Sequence, residues 1–405
     1  MKKFHLLIGL ASIVVFSWVS TAHKKEEKPL IGIRNYEFEI DGRPVPVAIW
    51  YPAIDKGEGL FDYNKLTKGS AYVNATPDRT KAPYPLIVFS HGMGGCGYQS
   101  VFYVENLARA GFVVSAMDHK DAGMCVMKGK PKVSVGKVLL AFLKGGGNLS
   151  KTVILLFKDQ VRDIDFTYRP RELKWLIDRL LELNQTDPML KGLIDPEKIG
   201  ASGHSLGGFT TLAIAGGEFD CESPEKYNSK LCERVKEALS HRENLSPEEM
   251  ALARVPEVVC CLEQYKGKKI SFKDPRVKAI LPLGPAVFFP EGAFQEVSIP
   301  VMIITGTGKF EVPFEPIQRV YNELQGPKYV LRLKKVDHMT ITDMALKIPF
   351  ARLVLPGYRW RYKMKKQIYE NYSSAFFNAY LNDDQKALEY IQQAHYPLVE
   401  LQSKP

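Results

Sequence analysis

The stretch Ile199-Gly200-Ala201-Ser202-Gly203-His204-Ser205-Leu206-Gly207-Gly208 decides how the rest of the chain is read. A short β-type run, Lys198–Ser202, enters the pattern G-x-S-x-G at 203–207, and the apolar segment Phe209–Ala215 follows. A strand that turns sharply into a helix, with small residues on both sides of the serine, is what a nucleophile elbow requires. The turn holds the serine in a strained conformation, and the first N–H groups of the helix face any negative charge that develops beside it. Ser205 is therefore the candidate nucleophile and Leu206 N–H a candidate oxyanion donor. A glycine-rich turn without chemistry would need neither the strand before it nor the helix after it.

An oxyanion site takes a second N–H from the loop after an earlier strand. Ser90-His91-Gly92-Met93-Gly94-Gly95 follows the run Pro85–Phe89 in that place, which makes Met93 N–H the second candidate donor. The loop lacks the Lys-Ser/Thr of a P-loop and the G-x-G-x-x-G of a dinucleotide fold, so a phosphate cradle is set aside. Of the eight histidines, His5 and His23 belong to the N-terminal leader, and His91 and His204 are built into the two motifs. His241 and His395 fall in charged helical stretches. His119 and His338 each follow a β-type run, but only His338 follows the last one, giving the chain order Ser, acid, His. His338 is the candidate base. His119, in Asp118-His119-Lys120-Asp121, reads as a loop-organising or pocket-wall residue. The acid that orients His338 must come from the loop after one of two earlier strands. After Val277–Leu283 no carboxylate precedes Glu291, and after Pro300–Thr305 the first is Glu311. Glu311 is the candidate acid, with Glu291, Glu315 and Asp343 as alternatives.

Around these motifs the chain alternates strand and helix. Leu30–Pro52 reads as a β-hairpin about Asp41-Gly42-Arg43-Pro44, and a further β-type run lies at Phe112–Met117 and another at Tyr329–Leu333. Helical periodicity covers 99–110 and, most clearly, 170–184, where Leu173, Leu176, Ile177, Leu180 and Leu181 share a face. Such alternation implies a mostly parallel, doubly wound sheet. With the elbow, the expected architecture is an α/β-hydrolase fold in a single domain over 28–398, with lid insertions near 123–165 and 217–273. Lys128–Phe157 spaces lysines among bulky aliphatics, a pattern suited to contact with an anionic membrane surface.

Lys2 and Lys3, the apolar run Phe4–Val19 and the small residues Ser20-Thr21-Ala22 follow the order of a secretory signal over residues 1–22. The expectation is an exported protein (periplasmic, envelope or secreted), membrane-anchored if the leader is not cleaved. Six cysteines fit export, and Cys221–Cys232 is the expected local bridge. Vicinal Cys260 and Cys261 are not expected to pair with each other, and Cys96 and Cys125 lie near the proposed site loops. The net charge of +10 comes from scattered Lys and Arg without a nucleic-acid motif, so nucleic acid is not an expected partner. No His/Cys/Asp cluster has ligand spacing, so neither a metal nor another cofactor is expected.

These residues resemble the secreted and type II intracellular platelet-activating-factor acetylhydrolases and their bacterial relatives. Phe89-Ser90-His91-Gly92-Met93-Gly94 is similar to that family's oxyanion loop, and Asp118-His119-Lys120-Asp121 to its signature after the next strand. Gln160-Val161-Arg162, Asp195-Pro196-Glu197-Lys198-Ile199 and the elbow follow in the family's order, and His338 with Asp343 resembles its histidine region. The resemblance runs over roughly 30–380. It implies Ser205 and His338 as triad members, and a serine carboxylic-ester hydrolase that releases short or oxidised sn-2 acyl chains from phospholipids through an acyl-enzyme. The family's aspartate falls near Pro282, or in many bacterial relatives at Lys309, and neither residue is an acid. Two alternatives stand beside this reading. One is a small-ester or polyester esterase of the dienelactone-hydrolase-like type; the other is a non-catalytic binding protein on a hydrolase scaffold, its motive the missing aspartate.

Overall fold

The computed structural model describes residues 28–63, 67–123, 125–130, 135–144, 165–241, 246–252, 255–309, 311–343 and 358–405. The leader, Gln160-Val161-Arg162 and most of the expected insertion at 123–165 lie outside the described residues. Strand β1 (Ile31–Ile40) pairs antiparallel with β2 (Arg43–Pro52). The two residues between them, Asp41 and Gly42, sit at φ 50° and 73°, the double positive φ that a tight hairpin turn demands. Then come β3 (Tyr72–Val73), β4 (Tyr84–Ser90), α1 (Val101–Arg109), β5 (Val113–Met117), α2 (Val135–Lys144) and α3 (Tyr168–Thr186). The elbow strand β6 (Ile194–His204) runs into α4 (Leu206–Ala215). After it come β7 (Glu218–Asp220), α5 (Lys230–Ser240), α6 (Pro247–Leu252), β8 (Lys269–Ser271) and β9 (Val277–Leu283). The chain closes with β10 (Val301–Gly306), α7 (Phe314–Glu323), β11 (Lys328–Leu333), α8 (Tyr358–Leu381), α9 (Gln385–Ile391) and β12 (Val399–Lys404).

Among the described residues ten strands form one sheet in the order β12-β11-β10-β9-β6-β4-β5-β2-β1-β3. Its centre, from β5 through β4, β6, β9 and β10 to β11, is parallel throughout. This is the α/β-hydrolase arrangement. The period of two along each central strand feeds two cores. Leu86 and Val88 of β4, with Val301 and Ile303 of β10, pack against α3, α4 and α7. Ile87, Phe89, Met302 and Ile304 face α1 and α8 on the other side. The sheet continues beyond 398, the expected end of the domain, because β12 pairs antiparallel with β11.

In its described residues the segment 217–273 packs onto the same core as the elbow helix, with Phe219, Val235 and Val258 in that cluster. Two disulfides staple it, Cys221–Cys260 and Cys232–Cys261. The expected Cys221–Cys232 bridge does not form. The adjacent residues Cys260 and Cys261 close a 3-10 turn, point different ways, and each takes one of the two earlier cysteines. A third disulfide joins Cys96 to Cys125.

Candidate active site

The elbow begins with backbone strain. Ser205 adopts φ 57°, ψ −115°, a conformation a non-glycine residue holds only where its surroundings impose it. Its N–H donates to Leu283 C=O at 2.9 Å, and its own C=O accepts from Ala286 N–H at 3.0 Å and Phe209 N–H at 3.1 Å. Both Leu283 and Ala286 flank the end of β9, so the strained peptide is clamped by the neighbouring strand. The close approach also needs Gly207: a Cβ there would lie 1.9 Å from Ser90 C=O. That glycine brings the elbow against the loop that carries Met93.

The loop after β4 is as fully engaged. Gly92 N–H donates to Gln99 Oε1 at 3.0 Å, Gly94 N–H to Asp121 at 2.9 Å and Gly95 N–H to Gly92 C=O at 2.9 Å. Among the described residues, the N–H groups of Met93 and Leu206 make no hydrogen bond. They remain available to an incoming oxygen.

His338 lies just beyond β11, and Glu311 in the loop after β10. The structure brings them together: His338 Nδ1 lies 2.8 Å from Glu311 Oε1, with side chains 11% and 5% exposed. Glu311 also accepts from Val312 N–H at 2.9 Å through Oε1 and from Gly306 N–H at 3.2 Å through Oε2. A carboxylate that accepts from two backbone donors and faces Nδ1 selects the tautomer of the neutral imidazole that carries its proton on Nδ1 and offers Nε2 as an acceptor. The alternatives for the acid lie elsewhere. Glu291 and Glu315 are exposed, and Asp343 pairs with Lys366 at 3.2 Å and accepts from Phe102 N–H at the start of α1. Lys309, where bacterial relatives of the resembled family carry an acid, is exposed.

His204 links the two loops. Gln99 Nε2 donates to its Nδ1 at 3.1 Å, and its Nε2 donates to His338 C=O at 2.9 Å. Burial and the neighbouring His338 hold its imidazole well below the ordinary histidine range, so it is a neutral strut. His119 does organise the loop, by bonding Ser90 Oγ at 2.8 Å and Glu172 at 2.7 Å. Sequence reasoning missed Gln99, Arg169 and Glu172. The last two occupy core-facing positions of α3 beside Leu173 and Leu176, and polar residues in an apolar stripe are the signal that could have found them.

Residues 61–137 match the family described as platelet-activating factor acetylhydrolase, isoform II. Two relatives match a longer stretch of the chain. The platelet-activating factor acetylhydrolase of Cavia porcellus is 29% identical over 197 residues, 41% of this chain and 43% of that protein. That of Bos taurus is 30% identical over 179 residues, 39% and 37% of the two chains. This chain resembles the platelet-activating factor acetylhydrolases. The match spans less than half the length of these relatives. A ferulic acid esterase from Streptomyces cinnamoneus superposes with a TM-score of 0.58 over 94% of this chain and 98% of its own, at 19% identity. That likeness shows the α/β-hydrolase fold.

Proposed function

We propose that this protein is a serine carboxylic-ester hydrolase of the platelet-activating-factor acetylhydrolase type, working through an acyl-enzyme. The observation that carries the reading is the 2.8 Å contact between Glu311 and His338 Nδ1, with the His338 ring 4.5 Å from that of His204, the residue that precedes the strained Ser205. Ser205 Oγ attacks the ester carbonyl while His338 Nε2 takes its proton. The N–H groups of Met93 and Leu206 hold the oxyanion, and collapse of the tetrahedral intermediate expels the alcohol, protonated by His338. Water, deprotonated by the same histidine, then releases the acid. Glu311 keeps the proton on Nδ1 and stabilises the imidazolium. The domain is a single α/β-hydrolase unit in which 217–273 caps the elbow helix.

The relatives are named for acetyl hydrolysis of platelet-activating factor, and we extend that by the resemblance to short or oxidised sn-2 acyl chains of phospholipids as the substrates. Membrane contact is assigned to α2, where Leu140 and Leu143 are 52% and 67% exposed between exposed Lys137 and Lys144. Export is supported by three disulfides with no free cysteine, a state that oxidising compartments maintain. Among the described residues no helix is long and apolar enough to cross a membrane.

The test is Ser205→Ala. Hydrolysis of p-nitrophenyl acetate should fall by about three orders of magnitude or more, as loss of a triad nucleophile does. Fluorophosphonate labelling should vanish with it. Activity within tenfold of wild type would move the nucleophile elsewhere.

A further inference from the structure

Behind the oxyanion loop lies a buried polar network that the proposed reaction does not use. Ser90, His119 and Glu172 stand in the order of a catalytic triad, yet they are 0%, 1% and 7% exposed. No ester can reach Ser90. The network must act on its surroundings, and its bonds converge on one atom, the carbonyl oxygen of Gly92.

That oxygen accepts from His91 Nδ1 at 2.7 Å, from Gly95 N–H at 2.9 Å and from Arg169 Nη2 at 3.3 Å, while Arg169 Nη1 donates to His91 C=O at 2.5 Å. Gly92 C=O and Met93 N–H belong to one peptide unit. In a planar trans peptide the two point in opposite directions. Three donors on the oxygen therefore fix the direction of the Met93 N–H. If the unit turned over, a carbonyl would face the oxyanion where a donor should be.

The two side-chain donors are in turn held by buried acids, Arg169 directly and His91 through His119. Arg169 Nη2 lies 2.7 and 2.6 Å from the two oxygens of Asp121. Burial pushes the Asp121 carboxyl up, but Arg169 outweighs it and keeps the acid well below the usual carboxylate range, hence ionised. His91 can donate from Nδ1 only if Nε2 is free to accept, and His119 N–H donates to that Nε2 at 3.0 Å. His119 is placed by Glu172 at 2.7 Å, and Glu172 is paired on its other oxygen with Arg43. Burial holds both imidazoles well below their ordinary range, so His91 and His119 stay neutral with one donor nitrogen each.

We propose that Arg169 and His91 are positioning residues for the oxyanion donor at Met93, held in place by Asp121 and by Glu172 through His119. The assignment rests on the serine-hydrolase reading. It predicts a loss confined to the transition state, because the donor meets full negative charge only there.

The experiment compares wild type with Arg169→Lys, which keeps the charge beside Asp121 but cannot fork across two carbonyls, and with Glu172→Gln. Full-length oxidised protein is assayed on p-nitrophenyl acetate and for the rate of fluorophosphonate labelling, with folding checked by circular dichroism. Wild-type labelling mapped to Ser205 is established first. Its absence removes the hydrolase reading, and the assignment with it. For Arg169→Lys, kcat and the labelling rate should fall together by about 10- to 100-fold, part of what losing a whole oxyanion donor costs. KM should stay within about twofold, and the pH midpoint of the activity should not move. Glu172→Gln should lose about tenfold in the same pattern. A kcat within about twofold of wild type in folded Arg169→Lys overturns the assignment while the hydrolase reading stands. Should that variant fail to fold, Glu172→Gln decides by the same criterion.

Discussion

Replacing Glu311 by Gln separates two contributions that an orienting acid makes. Oε1 of Glu311 receives His338 Nδ1 and Val312 N–H, and Oε2 receives Gly306 N–H. A glutamine that keeps its carbonyl at the first position still accepts from His338 and Val312, so the imidazole retains its tautomer. The amide NH₂ then meets Gly306 N–H, a conflict with a single 3.2 Å bond. What disappears is the negative charge beside an imidazolium that forms only during reaction. Two unit charges about 4 Å apart at an effective dielectric of about 20 attract by about 4 kcal/mol. Both side chains are nearly buried, at 11% and 5% exposure, so solvent removes little of it. That energy corresponds to about 10³ in kcat. Glu311→Ala removes tautomer control as well and should lose about 10⁴. The assay is p-nitrophenyl acetate turnover per folded protein, with Glu291→Gln, at an exposed position, expected within about twofold of wild type. Turnover of Glu311→Gln within tenfold of wild type would refute the argument, because no buried imidazolium could then depend on this carboxylate.

Three further outcomes are expected. His91, His119 and His204 are held neutral by burial, so the unfolded chain binds more protons than the native one below about pH 6.5. Stability should therefore fall as pH drops from 7 to 5, by up to about 1.4 kcal/mol per pH unit for each histidine. Glu172, Asp343 and Glu370, each raised by burial, work in the opposite sense with one proton each, but from a carboxyl range that starts well below that of histidine. Urea midpoints that are flat from pH 7 to 5 would contradict this. Peptide mapping of the oxidised protein should find Cys96–Cys125, Cys221–Cys260 and Cys232–Cys261, with no free thiol after denaturation, and a Cys221–Cys232 peptide would overturn the cap's pairing. Leu140→Glu with Leu143→Glu should weaken flotation with anionic vesicles by about tenfold or more, as loss of two inserted leucines requires. Unchanged flotation would take the membrane contact away from α2.

What could be read from the sequence follows from how far each signal reaches along the chain. The hairpin at Asp41-Gly42 is local, a few residues fixing its φ angles, and the turn at Ser205 is announced by a local motif although the neighbouring strand holds its φ; the structure shows positive φ at both places. The central strands are nearly as local, since continuous apolar runs such as Ala279–Leu283 have few other uses. β12 escaped because Val399-Glu400-Leu401-Gln402-Ser403-Lys404 is mostly polar, as an edge strand with one open side can be. The cysteines misled for a related reason. Nearness in sequence favoured Cys221 with Cys232, but α5 begins at Lys230 and carries Cys232 into the cap, where the turn at Cys260-Cys261 meets both. Glu311 was legible only through chain order, because its loop offers one early acid. The contact itself needs a glycine at 306, where a Cβ would lie 2.0 Å from Val336 C=O and 2.7 Å from Glu311 Oε2. Arg169 and Glu172 mark the limit of such reading. Their spacing of three places both on the buried face of α3, where the same periodicity that identifies a core also hides a polar network within it. The proposed nucleophile announces itself in a motif, whereas the residues proposed to aim the donor opposite it are spread over the loop after β4, the loop after β5 and α3. Only a fold that brings these three elements together turns an arginine in a leucine stripe into a constraint on the Met93 N–H.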